Sequence, residues 1–270
     1  MKKAPAFLIS AAALAAPVCL LAPGRASRRQ KAPFWGVNFA HRGLHSRDML
    51  IPENSLAAFR RAAELGYGME LDVQLSKDGK VVVFHDDTLD RVCGVPGRVD
   101  ERNFEELLQL RLCKTEYTIP LFSEVLSVIN GRGPLIVELK SGRRNRELCE
   151  KTYALLENYK GSVCIESFNP FIVAWFRFHA PELLRGQLSM PMKYYEGLPK
   201  AEGFLLSRTL MNFLARPQFI AYRIGPKPLA VRFAELLGAM KIAWTSHEPR
   251  NERGNDGVIF EFYKPKTKFK

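Results

Sequence analysis

Beyond residue 34 the chain alternates short apolar runs with helix-length amphipathic segments, a pattern that builds βαβ units and a parallel sheet. The runs at 35–40, 69–75, 135–139, 163–167, 184–188, 219–222, 242–245 and 258–260 read as eight strands. Between them, 55–65, 122–129, 146–158, 170–178 and 229–237 read as helices, and 212–215 as a helical turn. The helix at 55–65 has Asn54 or Ser55 as its cap and Gly66 as its stop. One strand departs from the parallel order. After 69–75 the turn Ser76-Lys77-Asp78-Gly79-Lys80 leads into 81–85, which signals a hairpin. The stretch from 86 to 117 then breaks the alternation with Gly94, Pro96, Gly97 and one short helix near 104–110, which marks an inserted subdomain or a lid.

The chain's 270 residues, 47% of them hydrophobic and 25% charged, suffice for one large core or two small ones. That composition excludes a disordered chain and a multi-span membrane protein. A formal net charge of +12 raises the question of nucleic acid. Lys2, Lys3, Arg25, Arg28, Arg29 and Lys31 place six positive charges in the first 31 residues, which hold no acid. Lys264, Lys266, Lys268 and Lys270 alternate with small or apolar residues, the pattern of a solvated or membrane-surface tail over 264–270. Basic excess gathered at the two ends makes no duplex-binding face, so no nucleic-acid partner is expected.

Residues 4–22 carry no charge and follow Met1-Lys2-Lys3, the arrangement of a signal peptide or a single membrane anchor. An N-terminal apolar helix within 1–31 is therefore expected to export the chain or associate it with a membrane. Gly24 and Ala26 form a tolerable cleavage site, whereas the basic cluster 25–31 favours cytoplasmic retention, so the side of the membrane stays open. The five cysteines, at 19, 93, 113, 149 and 164, lack any Cys-x-x-Cys spacing, which argues against zinc and redox chemistry. Cys93 and Cys113 are able to pair in an exported chain.

The chemistry gathers on two strands. In 69–75, alternation puts Glu70, Asp72 and Gln74 on one face and four apolar residues on the other. In 135–140, Ile136, Glu138 and Lys140 share a face. Unpaired buried carboxylates are costly, so they need a proton, a partner or a metal. Three hard oxygen ligands without cysteine favour Mg²⁺ or Ca²⁺. The plainer alternative is that Glu70 or Asp72 forms a buried ion pair with Lys140 or Arg42. His41 and His85 each follow an apolar run and precede a charged residue, at strand ends, which suits acid–base work. His45, His179 and His247 are expected to be structural or surface residues.

Taken in order and spacing, His41-Arg42-Gly43, Pro52-Glu53-Asn54-Ser55, Glu70-Leu71-Asp72, His85-Asp86, Thr88-Leu89-Asp90-Arg91, Ile119-Pro120-Leu121 with Glu124-Val125-Leu126, and Glu138-Leu139-Lys140 resemble glycerophosphodiester phosphodiesterases. The clear resemblance covers roughly 34–167, with weaker matches at Ser167-Phe168-Asn169, Trp244-Thr245 and Asp256-Gly257-Val258-Ile259. It implies a TIM (β/α)8 barrel over 32–263, with a small insertion after the second strand at about 86–119. It implies Glu70, Asp72 and Glu138 as metal ligands, His41 and His85 as the acid–base pair, and Arg42 and Lys140 as phosphate holders. Glu53 is expected to help bind the metal or a substrate hydroxyl, with a helix-start acid favoured by the dipole as the alternative. Trp244 is expected to line the substrate pocket, with core packing as its alternative.

The implied activity is metal-dependent hydrolysis of small glycerophosphodiesters to an alcohol and glycerol 3-phosphate. Two rivals stand beside it: a phospholipase-type barrel acting on intact membrane lipid, and a catalytically impaired, membrane-anchored binding protein. The sequence departs from the family where Phe260-Glu261 replaces the usual Thr-Asp after the last strand. The segment 247–255 is also short for a helix, which leaves closure of the barrel open at that end.

Overall fold

The computed structural model describes residues 18–270. Nine strands run in the order β1 (Val37–Ala40), β2 (Gly68–Leu75), β3 (Val81–Val83), β4 (Leu135–Leu139), β5 (Val163–Ser167), β6 (Leu184–Ser189), β7 (Phe219–Arg223), β8 (Met240–Ser246) and β9 (Gly257–Phe260). All except β3 form a closed parallel ring, and β3 hangs antiparallel on β2 as the hairpin signal predicts. The ring closes without a gap. β9 pairs with β1 from Val37↔Gly257 to Ala40↔Phe260, so the short C-terminal segment does not impair closure. In the segment 247–255, short for a helix, a single 3-10 turn at Pro249–Glu252 makes the connection to β9.

Strand alternation sorts the side chains into two cores. Met69, Leu71 and Val73 of β2 and Leu135, Val137 and Leu139 of β4 point outward onto helices, meeting Phe59, Phe122, Val125 and Phe176. Phe39, Ile136, Cys164, Phe219, Ile242 and Ile259 point inward and fill the lower barrel, together with Phe34 beneath β1. Two glycines make that filling possible. A Cβ at Gly68 would lie 2.6 Å from the Phe39 ring, and one at Gly186 would lie 1.9 Å from the Phe219 ring.

The helices begin and end on local chemistry. The Ser55 hydroxyl accepts from the Ala58 amide and starts the helix Leu56–Glu64, whose Ala58, Phe59, Ala62 and Ala63 are buried. Phe122, Val125, Leu126 and Ile129 recur at helical spacing in Phe122–Ile129, and Asn130 stops it in the left-handed conformation. Asn169 caps Pro170–His179 through the Phe171 amide. The insertion has its own small core of Val82, Phe84, Leu89, Val92, Val99, Leu107, Leu112 and Ile119.

Two regions differ from expectation, and a third lies mostly outside the described residues. A helix at Lys200–Ser207 lies between β6 and β7, where weak periodicity, Pro199 and Gly203 conceal it. The lysine-rich tail is docked rather than solvated: Asn38 and Phe269 amides bond to the Thr267 and Gly36 carbonyls, and Lys270 Nζ lies 2.9 Å from Asp256. Its charges alternate with groups that bond beneath β1, which a charge pattern alone does not reveal. Most of the expected apolar helix falls in residues 1–17, outside the described residues. Its last part, Val18–Leu21, is helical, and Leu21 packs on Ile220, Tyr222 and Val231. No helix among the described residues is long and apolar enough to cross a membrane.

Candidate active site

At the C-terminal ends of the strands the inward face changes from apolar to acidic. The β2–β4 register sets Asp72 beside Glu138, and the β4–β5 register sets Glu138 beside Glu166. One carboxylate oxygen from each of Glu70, Asp72 and Glu138 lies within 4.8 Å of the others, and all three residues are buried. That donor set fits a hard divalent cation, which takes oxygen ligands. Without one, burial together with the Asp72 and Glu138 charges pushes Glu70 well above the usual carboxylate range. Glu138 is raised by burial too, against the pull of Lys140. Asp72 is also buried, but the His85, Lys140 and Arg42 charges and the Asn54 hydrogen bond outweigh burial and hold it low.

Loop residues orient these oxygens. The Arg42 amide donates to Glu70 Oε2 at 2.9 Å, and Asn54 Nδ2 donates to Asp72 Oδ2 at 2.9 Å. Arg42 and Asn54 both have positive φ, at 52° and 55°, and the Asn54 amide donates to the Arg42 carbonyl. Two side chains in the sparsely populated left-handed region are thus bonded to each other and to the acidic cluster. Lys140 Nζ donates to Glu138 Oε1 at 2.8 Å and sits 3.5 Å from Asp72 Oδ1.

The two histidines sit at this same end. His41 Nδ1 is 2.5 Å from Glu261 Oε1, and its Nε2 is 3.8 Å from Glu70 Oε2. A carboxylate at Nδ1 keeps the proton there and turns Nε2 toward the acids as an acceptor. Burial and the Arg42 charge lower the His41 pKa, opposed by Glu261. His85 Nδ1 is 2.6 Å from Asp86 Oδ1, and Asp86 in turn accepts from Arg91 Nε at 2.6 Å. Arg91 continues to Glu53, donating to Oε1 and Oε2 at 2.7 and 2.8 Å, and Arg42 Nη1 donates to Glu53 Oε1 at 2.7 Å. Burial opposes ionisation of Glu53, but Arg91 and Arg42 outweigh it and hold its pKa at about 2.

Of the residues singled out by sequence, His41, Arg42, Glu70, Asp72, His85, Glu138 and Lys140 are brought together. Glu53 stands outside the group of three acids, with both oxygens engaged by arginines. Trp244 lies at the rim, its Nε1 donating to the Ala221 carbonyl and its ring 5.7 Å from Phe168. His45 is buried against Phe262, as a structural residue, though its Nε2 reaches within 3.4 Å of Glu261. Cys93 and Cys113 are unpaired.

Sequence reasoning missed Glu261, Glu166 and Arg91. Glu166 was available from alternation in 163–167, which puts Cys164 and Glu166 on one face. Arg91 belongs to a quoted motif but sits in the insertion, where no periodicity aims its side chain.

The profile described as Glycerophosphoryl diester phosphodiesterase family matches residues 41–264. A glycerophosphodiester phosphodiesterase of Caldanaerobacter subterraneus subsp. tengcongensis is 39% identical over 160 residues, which is 55% of this chain and 65% of the relative, just under two thirds. Another from Bacillus altitudinis is 33% identical over 183 residues, 62% of this chain and 73% of the relative. Among solved structures, an Oleispira antarctica phosphodiesterase in complex with the product sn-glycerol-3-phosphate superposes with a TM-score of 0.68 at 26% identity. That likeness covers 84% of this chain and 93% of the other.

Proposed function

Because the chain belongs to the glycerophosphoryl diester phosphodiesterase family, we propose that it hydrolyses glycerophosphodiesters to an alcohol and glycerol 3-phosphate. The observation that carries the reading is the convergence of Glu70, Asp72 and Glu138 beside Arg42 and Lys140. Three acids with two cations make a basin that fits one divalent ion and one phosphodiester. Glu70, Asp72 and Glu138 hold the ion, Mg²⁺ or Ca²⁺, which when bound supplies positive charge to the phosphoryl oxygens. Arg42 and Lys140 bind those oxygens and offset the charge that develops on them. His41, kept neutral by burial and turned inward through Glu261, takes the proton of the attacking oxygen at Nε2. A bond forms between that oxygen and phosphorus as the bond from phosphorus to the leaving alcohol breaks. His85, oriented by Asp86, gives the leaving alcohol its proton. Trp244 bounds the substrate from the opposite side.

The test is turnover of glycerophosphocholine by the purified full chain, followed as choline and glycerol 3-phosphate. Chelator should abolish turnover, and added Mg²⁺ or Ca²⁺ should restore it; undiminished turnover in chelator dismisses the metal role. The uncharged stretch 4–22 supports a further reading, that the enzyme is exported or held at a membrane. Fractionation of cells producing the tagged full chain checks it, and recovery of all protein in the soluble cytoplasmic fraction rejects it.

A further inference from the structure

Residues 24–36 form a floor at the end of the barrel opposite the acidic cluster. The segment crosses beneath the strands and is bonded within two residues of the start of β6, β7, β8 and β9. Gln30 Nε2 donates to the Glu182 carbonyl before β6, the Gly24 amide to Pro217 before β7, Lys31 Nζ to Gly238 before β8, and the Gly36 amide to Asp256 before β9. These bonds hold its side chains in one place. The outer surface of the floor is basic: Arg25, Arg28 and Arg29 are exposed, and the turn Arg28–Lys31 contains no acid. Lys268 adds to it, exposed where the tail pairs with Val37. Trp35 is 43% exposed on the same surface, with Lys270 Nζ 4.8 Å from the centre of its ring. Of the acids at this end, Asp256 is held by Lys270, Glu182 accepts from the Tyr153 hydroxyl, and Glu64 and Glu157 stand at the ends of outer helices.

We propose that this floor docks on a bilayer surface of anionic head groups, so that the acidic cluster opens away from the lipid, toward water. The inference rests on the reading that the chain is held at a membrane and deepens it, naming the face and the lipid. Clustered arginines and lysines are drawn to the negative surface of such a bilayer, and a half-exposed Trp is a side chain that settles at head-group level. The uncharged stretch 4–17, outside the described residues, brings a second signal. It joins the fold at Val18, one helical turn before Ala22, whose carbonyl accepts from Arg216 just before β7. Two such signals anchor a protein more firmly than either alone. Nucleic acid is the competing polyanion. It satisfies the arginines but leaves Trp35 and the exposed Val18 and Leu20 with nothing apolar to enter. Because the candidate active site lies at the C-terminal ends of the strands and the floor at their N-terminal ends, a docked chain takes its diester from solution and not from the bilayer beneath it.

The experiment sediments the full chain with vesicles of phosphatidylcholine alone and of equal parts phosphatidylcholine and phosphatidylglycerol. Binding should be tighter to the second. At about fivefold per charge, the triple variant Arg25→Gln, Arg28→Gln, Arg29→Gln should lose roughly a hundredfold of that advantage. Its turnover of glycerophosphocholine in solution should be unchanged, because these arginines lie at the far end from the acidic cluster. Bromine-bearing lipid should quench the fluorescence of the unaltered chain, and Trp35→Phe should lose most of that quenching, since Trp244 stands at the opposite rim. Glycerophosphocholine turnover by the unaltered chain should be the same on anionic vesicles as free of them. Equal binding to the two vesicles, or a triple variant bound as tightly as the unaltered chain, overturns the proposal and leaves the membrane-held reading to the stretch 4–22. Turnover that disappears on vesicle binding, or quenching untouched by Trp35→Phe, puts another face on the lipid and overturns it too. Retention on duplex DNA without binding to either vesicle overturns it in favour of nucleic acid. Binding to neither vesicle nor DNA removes the membrane-held reading along with it.

Discussion

His41 and Glu261 meet across the seam where the first strand of the barrel joins the last, at 2.5 Å and 220 residues apart in the chain. The Ala40↔Phe260 register makes them neighbours, each one residue past its strand. Local pattern finds His41 at a strand end but has no means of pairing it with Glu261 before closure is known. Alternation, by contrast, is a local rule, and it exposes Glu70, Asp72 and Glu138 from sequence alone. The same rule applied to 163–167 reaches Glu166, whose Oε2 is buried without a partner. The pairing of His41 with Glu261 has a kinetic consequence. Burial and Arg42 lower the His41 pKa, whereas the Glu261 carboxylate raises it. A base works only when neutral, so activity falls as pH drops through that pKa. Glu261→Gln removes the raising influence, so the acid limb of kcat/KM should move to lower pH; a limb that stays put or moves upward rejects the role. His41→Ala should lower kcat by about 10²- to 10⁴-fold.

At the scale of elements, strands and capped helices are legible because their signals are short-range: alternation for β2 and β4, Ser55 and Asn169 for helix starts, Asp-Gly for the β2–β3 hairpin. Lys200–Ser207 is not, since its burial depends on the neighbouring loop more than on its own stripe. Nor is the docking of the tail, because backbone groups of residues 267–269 make the contacts and a lysine pattern is silent about them. Why the barrel tolerates large inward aromatics is likewise a matter between elements. Gly186 on β6 faces Phe219 on β7 as its registered partner, with no room for a methyl group between them. Gly186→Ala should therefore destabilise the protein by about 1–3 kcal/mol through overpacking, measured as a lower denaturant midpoint at unchanged slope. Phe219→Leu should recover part of that loss in the double variant. Additive losses instead would show that the ring is not what the new methyl group meets.

Across the whole molecule the acids divide into two sets with opposite linkage to pH. Arginines or histidines beside Glu53, Asp86 and Glu261 overcome burial and hold them below the usual carboxylate range. Their contribution to stability is present above the unfolded-chain pKa of about 4 and disappears as pH falls through the lowered values. Glu70, Glu138 and Glu166 are raised by burial and by neighbouring carboxylate charges, that of Asp72 acting on all three. The folded chain holds their protons longer than the unfolded chain, so their contribution is full below about pH 4 and is lost as pH rises through the raised values. Between about pH 5 and 8 the first set is constant and the second changes. Free of divalent ions, the protein should lose stability across that window because of the second set, whereas a cation binds the deprotonated acids and stabilises the fold by mass action. His41, with its lowered pKa, gains stability as pH rises and works against this trend, so a single melting curve does not isolate the acids. Glu70→Gln does, since the amide neither titrates nor repels Asp72 and Glu138. In chelator its Tm advantage over the unaltered chain should grow from pH 5 toward pH 8, while added Mg²⁺ or Ca²⁺ should raise Tm more in the unaltered chain, and more at the higher pH, over that window of about three units. A Tm difference that ignores both pH and cation would mean that the three carboxylates do not share one charge-strained site.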